Sequence, residues 1–194
     1  MKNREQKGTL VVLSGPSGVG KTTICKKIAN RLENVYLSIS ITTRQLGRAE
    51  KQGESYRCVS RRNFEKMVEQ NELLEYAELF GNWYGTAGKP VQNALNQGKT
   101  VILEIDTQGA KQILSTHRNA ELIFILPPTR QKLADRIQSR ARDKKKQIEE
   151  RLRFAKTETD SAKRYYNHFV VNDNLEEAVT KVIDIIRNAR GEHV

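Results

Sequence analysis

The chain has 194 residues, with 34 Lys and Arg against 23 Asp and Glu, a formal charge of +11. That length suits one domain with a buried core. No apolar run exceeds five residues (Leu122 to Leu126), against the roughly 20 a membrane-crossing helix needs, and the basic excess calls for anionic partners: nucleic acid, anionic lipid or phosphorylated small molecules.

Residues 1–8 read as a polar arm. Lys2, Arg4 and Lys7 precede Leu10–Leu13 in the manner of a signal peptide, but the apolar stretch is too short and Gly15–Gly20 ends it. Near-continuous apolar or β-branched runs then predict buried strands at Thr9–Leu13, Tyr36–Ile41, Thr100–Ile105, Leu122–Leu126 and His168–Val171, as in a sheet covered on both faces. Helical patterns lie between them at Lys21–Leu32, Pro90–Asn96, Gln108–Ser115, Thr129–Arg142, 148–163 and about 175–190. Thr129 is the expected N-cap of its helix, and Asp173 with Glu176 forms a capping box before the last one. This alternation predicts a parallel α/β sheet. Residues 42–89 break the rhythm, with a short helix near 62–70 and strand-like pieces at 56–59, 73–78 and 82–84, and read as an inserted substructure.

Gly15-Pro16-Ser17-Gly18-Val19-Gly20-Lys21-Thr22 fits the phosphate-loop pattern G-x-x-x-x-G-K-[ST], with a strand before it and a helix after it. Backbone N–H groups of such a loop curl around phosphate oxygens, and the helix N-terminus adds its dipole. Lys21 is placed to reach the β- and γ-phosphates of ATP and Thr22 to ligate Mg²⁺, with Thr23 counted among the ATP-binding residues. The loop predicts nucleotide binding and leaves the acceptor open.

Further segments narrow the acceptor: Ser40-Ile41-Thr42-Thr43-Arg44, Gly53-Glu54-Ser55-Tyr56, Leu74-Glu75-Tyr76-Ala77, Gly81-Asn82-Trp83-Tyr84-Gly85-Thr86 and Leu103-Glu104-Ile105-Asp106-Thr107-Gln108-Gly109. With the phosphate loop, and with Ile125–Pro128 and Val171–Asp173, the chain resembles the guanylate kinase family from about Thr9 to Val182. The resemblance implies a P-loop NTPase-type α/β fold with a parallel five-stranded sheet and flanking helices. The core would take about 9–41, 90–126 and 165–190, a GMP-binding insertion about 42–89, and a helical lid about 129–160. It implies Mg²⁺-dependent transfer of the ATP γ-phosphoryl group to GMP.

The residue chemistry agrees. Guanine presents N1–H and N2–H₂ donors, which the carboxylates Glu75 and Asp106 could accept, and an O6 acceptor, which Ser40 or Thr86 could meet. Adenine would leave those carboxylates unpaired. Arg44 can grip the GMP phosphate, with hydroxyls from Tyr56 and Tyr84. Asp106 is also weighed as an indirect Mg²⁺ ligand. One departure stands out: the family places an arginine three residues after the Arg44 position, and here that residue is Gly47, with Arg48 next. Arg48 is carried as its replacement.

Residues 130–164 carry a net charge of +7. The resemblance makes this the lid, with Arg140 and Arg151 presented to the transferring phosphate, Arg136 beside them, and Asn172 contacting the ATP base. Charge on the phosphate oxygens in the transition state makes arginine placement matter more than a strong base, so no general base is expected.

Three alternatives remain at this level: a non-catalytic guanylate-kinase-like interaction module, a P-loop kinase for another small phosphorylated acceptor, and a basic nucleic-acid binder. Aromatics make up only 6% of the residues, too few for a stacking platform, so no specific nucleic acid is expected. Cys25 and Cys58 cannot form a disulfide framework, which predicts a reducing, cytoplasmic setting. A monomer and a homodimer are equally compatible with the sequence.

Overall fold

The computed structural model describes residues 8–47, 50–54, 56–138 and 145–192, without the side chains of 145–147. The elements run β1 (Thr9–Ser14), α1 (Lys21–Arg31), β2 (Val35–Leu37), β3 (Ser40–Thr42), β4 (Tyr56–Cys58), α2 (Arg61–Glu69), β5 (Leu73–Leu79), β6 (Asn82–Ala87), α3 (Gly88–Asn96), β7 (Thr100–Glu104), α4 (Thr107–Thr116), β8 (Glu121–Leu126), α5 (Arg130–Gln138), α6 (Lys145–Ala162), β9 (His168–Val171) and α7 (Leu175–Ala189). A five-stranded sheet has the order β2-β7-β1-β8-β9, and a four-stranded sheet the order β4-β3-β6-β5. Every described pairing in the five-stranded sheet is parallel. The chain divides into two compact units, one formed by residues up to Leu10 with Asn34–Ala120, the other by Val11–Glu33 with the segment from Glu121 onward.

In the second unit, β1 pairs with β8 and β8 with β9. Val11, Val12, Leu13, Leu122, Ile123, Phe124 and Ile125 are fully buried, as expected of parallel strands covered on both faces. One cover is the α1 face carrying Ile24, Cys25 and Ile28. Another is the α7 stripe Val179, Val182, Ile183 and Ile186, spaced i, i+3, i+4, i+7 so that all lie on one side. Burying each such side chain is worth about 2 kcal/mol, and together they hold rigid the strand ends from which the phosphate loop springs.

The predicted cap of α5 is present: Thr129 Oγ1 accepts the Lys132 N–H at 3.1 Å. The predicted capping box of α7 is not. Asn174 is the N-cap and accepts from the N–H groups of Glu176 and Glu177, while Asp173 pairs with Lys132 at 2.6 Å. Adjacent Asp and Asn are both good caps, and the nearby ammonium draws Asp173 away from the helix.

In the first unit, the single strand expected over Tyr36–Ile41 is two. Ser38 N–H makes the last bond toward β7, to Ile102 O at 3.0 Å, and the chain then enters the other sheet as β3. The switch falls at Ser38-Ile39-Ser40, a polar–apolar alternation that also suits one continuous strand, and no Gly or Pro marks it. In the second sheet β3 pairs with β4 in parallel and with β6 in antiparallel register. β5 and β6 form a hairpin turned by Phe80 and Gly81, with φ 50° and 76°, the left-handed pair that a two-residue hairpin loop requires. Phe64 of α2 is buried beneath this sheet, its ring 5.9 Å from that of Trp83.

Candidate active site

The phosphate loop joins β1 to α1 in the second unit. Gly15, Gly18 and Gly20 have φ of 147°, 88° and 103°, so the loop coils through backbone space closed to most side chains. The Val19 N–H returns to Pro16 O at 3.2 Å. Lys21 Nζ donates to the carbonyls of Gly15 and Pro16, which holds its ammonium over the loop. Thr22 and Thr23 lie exposed in the first turn of α1. From α6, Arg151 Nη1 donates to Ser17 Oγ at 3.0 Å, so this arginine is seated on the loop. From α5, Arg136 donates to Asn172 O at 3.0 Å and to Val19 O at 3.4 Å. Asn172 itself donates to Val19 O at 2.7 Å. Arg140 lies outside the described residues.

The acceptor-type residues gather in the first unit. Two threonines aim Arg44. Thr42 Oγ1 donates to Trp83 O and accepts the Arg44 N–H, while Thr43 Oγ1 accepts the Trp83 N–H. The end of β3 is thereby tied to β6. Arg44 then projects its guanidinium against the Tyr56 ring, 5.2 Å from its centroid, with Nε donating to the Tyr84 hydroxyl at 3.1 Å. The two tyrosine rings meet edge-on at 6.1 Å. Burial first, and then the charge of Glu104, pushes the Tyr56 hydroxyl up to about 12, so it stays protonated and able to donate.

Arg44 Nη2 also contacts both carboxylate oxygens of Glu50 at 3.0 Å, and Glu50 accepts the Gly47 N–H at 2.7 Å. Glu50 is the partner that reading the sequence missed. Its position six residues from Arg44, across a turn containing Gly47, is the only local sign of it. Arg48 lies outside the described residues.

Glu75 occupies an inward position of β5. The burial pattern alternates from it through Tyr76, Ala77 and Glu78, so a carboxylate stands where the period of two places an apolar residue. A bulge between Leu73 and Glu75 sets that phase and places Glu75 opposite Thr86, the re-aiming for which bulges serve. Thr86 Oγ1 donates to Glu75 Oε1 at 2.7 Å. Helix α4 covers the edge of β5: Gln112 accepts the Tyr76 N–H and donates to the Tyr76 carbonyl, acting as a substitute neighbouring strand. One turn earlier, Gly109 gives the carboxylate its seat. A Cβ there would stand 2.2 Å from Glu75 Oε2.

Asp106 caps the same helix, its Oδ1 accepting from the N–H groups of Gln108 and Gly109 at 2.9 and 2.8 Å. Burial raises the Glu75 carboxyl to about 7, the Thr86 bond opposing and the Asp106 charge adding to the rise. Glu75 and Thr86 are thus brought together as a buried pair, with the half-buried Asp106 close enough for its charge to be felt at Glu75. Ser40, at the start of β3, is half-buried in the same unit.

The family model for guanylate kinase matches residues 7–189. The chain belongs to the guanylate kinase family. It is 45% identical over 173 residues to the guanylate kinase of Carboxydothermus hydrogenoformans, covering 89% of this chain and 84% of that protein. It is 42% identical over 180 residues to the guanylate kinase of Synechocystis, covering 93% and 94%. The crystal structure of guanylate kinase from Anaplasma phagocytophilum superposes with a TM-score of 0.81 at 32% identity, covering 96% of this chain and 88% of that one. The fold is therefore the mixed α/β guanylate kinase fold, with its parallel five-stranded sheet and flanking helices. Among the described residues no helix is long and apolar enough to cross a membrane.

Within that family fold, Lys21, Arg136, Arg151 and Asn172 converge on the phosphate loop. Arg44, Tyr56 and Tyr84 form a second cluster, and Glu75, Thr86 and Asp106 a third. One expectation narrows. Thr86 has a single hydroxyl proton and gives it to Glu75, which leaves Ser40 as the hydroxyl for an O6-type acceptor while that bond holds.

Proposed function

We propose that the chain is an ATP:GMP phosphotransferase whose residues divide the work between a donor and an acceptor cluster. The loop Gly15–Thr23 wraps the ATP phosphates with backbone N–H groups. Lys21 exchanges the carbonyls of Gly15 and Pro16 for phosphate oxygens, and Arg151 and Arg140 add charge where it develops in the transition state. In the acceptor cluster, Glu75 and Asp106 accept from guanine N1–H and N2–H₂, Ser40 donates to O6, and Arg44 with Tyr56 and Tyr84 holds the phosphate, Arg48 assisting. GMP attacks through a phosphate oxygen, and closure over both substrates excludes water. The intact loop, with Lys21 and Arg151 seated on it, supports catalysis over a purely protein-binding role.

The donor set fits a hard cation. Among the described residues no three His, Cys, Asp or Glu gather, so the chain itself offers the exposed Thr22 hydroxyl and leaves the remaining positions to phosphate oxygens and water, as Mg²⁺ prefers. When bound, Mg²⁺ would neutralise charge on the β- and γ-phosphates. Asp106 is kept for the acceptor, because its Oδ1 caps α4 and its charge is felt at Glu75.

The single observation that carries the guanine assignment is the Glu75 carboxylate buried against Gly109 and bonded to Thr86. A coupled ADP-release assay across GMP, AMP, CMP and UMP tests it. GMP should be turned over far faster than the rest, and equal or faster turnover of AMP would overturn the assignment.

A further inference from the structure

Two side chains converge on the carbonyl oxygen of Val19. Asn172 Nδ2 donates to it at 2.7 Å and Arg136 Nη1 at 3.4 Å. Asn172 is itself anchored: it is 5% exposed, its N–H donates to Leu126 O at 2.8 Å, and its carbonyl accepts from Arg136 Nη2 at 3.0 Å. The next residue, Gly20, is shaped to this contact. Its φ is 103°, and a Cβ on it would stand 2.6 Å from Asn172 Nδ2. The side chain of Asn172 therefore lies directly against the Val19–Gly20 peptide.

A trans peptide is planar, with its C=O and N–H pointing in opposite directions. Holding Val19 O toward Asn172 turns the Gly20 N–H the other way. Gly20 is the N-cap of α1, so its N–H joins the unsatisfied donors at that helix terminus. We propose that Asn172 is a positioning residue for the phosphate loop: it fixes the Val19–Gly20 peptide so that the Gly20 N–H is aimed at the donor phosphates, whatever base the donor carries. This rests on the reading that Gly15–Thr23 binds the donor phosphates. It gives Asn172 a role different from the base contact that the resemblance implies: one of its two amide hydrogens is committed to the loop carbonyl.

The test separates base from phosphate. Dissociation constants of inorganic tripolyphosphate and of ATP are measured for the wild type, Asn172→Ala and Asn172→Ser, with thermal unfolding as a check on folding. ATP and GTP are also compared as donors. Both variants should lose affinity for tripolyphosphate and for ATP by the same factor, about tenfold for one buried hydrogen bond, with the ATP-to-GTP preference unchanged. Should Asn172→Ala fail to fold, Asn172→Ser, which keeps a hydroxyl, carries the comparison. Loss of ATP affinity alone, with a fallen ATP preference, would overturn the proposal in favour of base reading. Unchanged affinity for both ligands would overturn it too. A wild type that bound neither ligand would instead remove the phosphate-loop reading on which it stands.

Discussion

Gly109→Ala is the substitution that most directly probes the guanine cluster. The new Cβ would lie 2.2 Å from Glu75 Oε2 and 3.0 Å from its Cδ, so the carboxylate must retreat by about 1 Å to reach ordinary contact. It has little room: Glu75 is 4% exposed and tied to Thr86. If the helix moves instead, the paired bonds between Gln112 and Tyr76 are strained. A displaced carboxylate loses a charge-assisted bond to guanine, worth roughly 1.5–3 kcal/mol, or about 10- to 150-fold in affinity. Overpacking should also lower stability by about 1–3 kcal/mol. In steady-state ADP-release assays, KM for GMP should rise by that factor while KM for ATP stays within about twofold. The double variant Gly109→Ala with Glu75→Asp should regain thermal stability without regaining GMP affinity, because the shorter side chain makes room but no longer reaches. An unchanged KM for GMP in a folded Gly109→Ala protein would refute the placement of Glu75 in the guanine site.

The raised carboxyl of Glu75, at about 7, predicts a pH dependence. Guanine donors need the ionised form, so KM for GMP should climb as pH falls below about 7, and a KM flat from pH 6 to 8 would exclude the role. The stability linkage has the opposite sense: with its folded value above its usual 4.5, Glu75 favours the folded state fully below pH 4.5 and loses that contribution as pH rises through about 7. The loss is at most about 3 kcal/mol. Urea unfolding of wild type against Glu75→Gln should show the difference narrowing toward low pH. Lys21→Ala should lower kcat by orders of magnitude with a near-native Tm, since its bonds to Gly15 and Pro16 lie on the loop surface. Arg44→Lys keeps the charge but loses the fork that meets Tyr84 and Glu50 together, so KM for GMP should rise at least about tenfold with KM for ATP unchanged.

The core was legible because its signals are local. Runs such as Leu122–Leu126 and His168–Val171 became strands with nearly the expected bounds, and the glycine pattern before Lys21 stands between a strand and a helix as the motif requires. Where two local choices were equivalent, distant groups decided. The break between β2 and β3 is set by which sheet takes the chain after Ser38. Asn174 rather than Asp173 caps α7, because Lys132 claims the aspartate.

The same distinction runs through the candidate site. Residue type nominated Glu75 as a guanine acceptor, but its chemistry comes from elsewhere in the chain: a bulge that turns it inward, a glycine on α4 that admits it, and Gln112, which fastens that helix to the strand edge. None of these reads as functional in isolation. A carboxylate this buried costs free energy unless something meets it, and Thr86 meets only one oxygen. On the proposed reading, the paired N–H donors of guanine meet the rest of that demand. In that reading it is this buried carboxylate that would select guanine, because the formal charge of +11 attracts any phosphorylated ligand and distinguishes none.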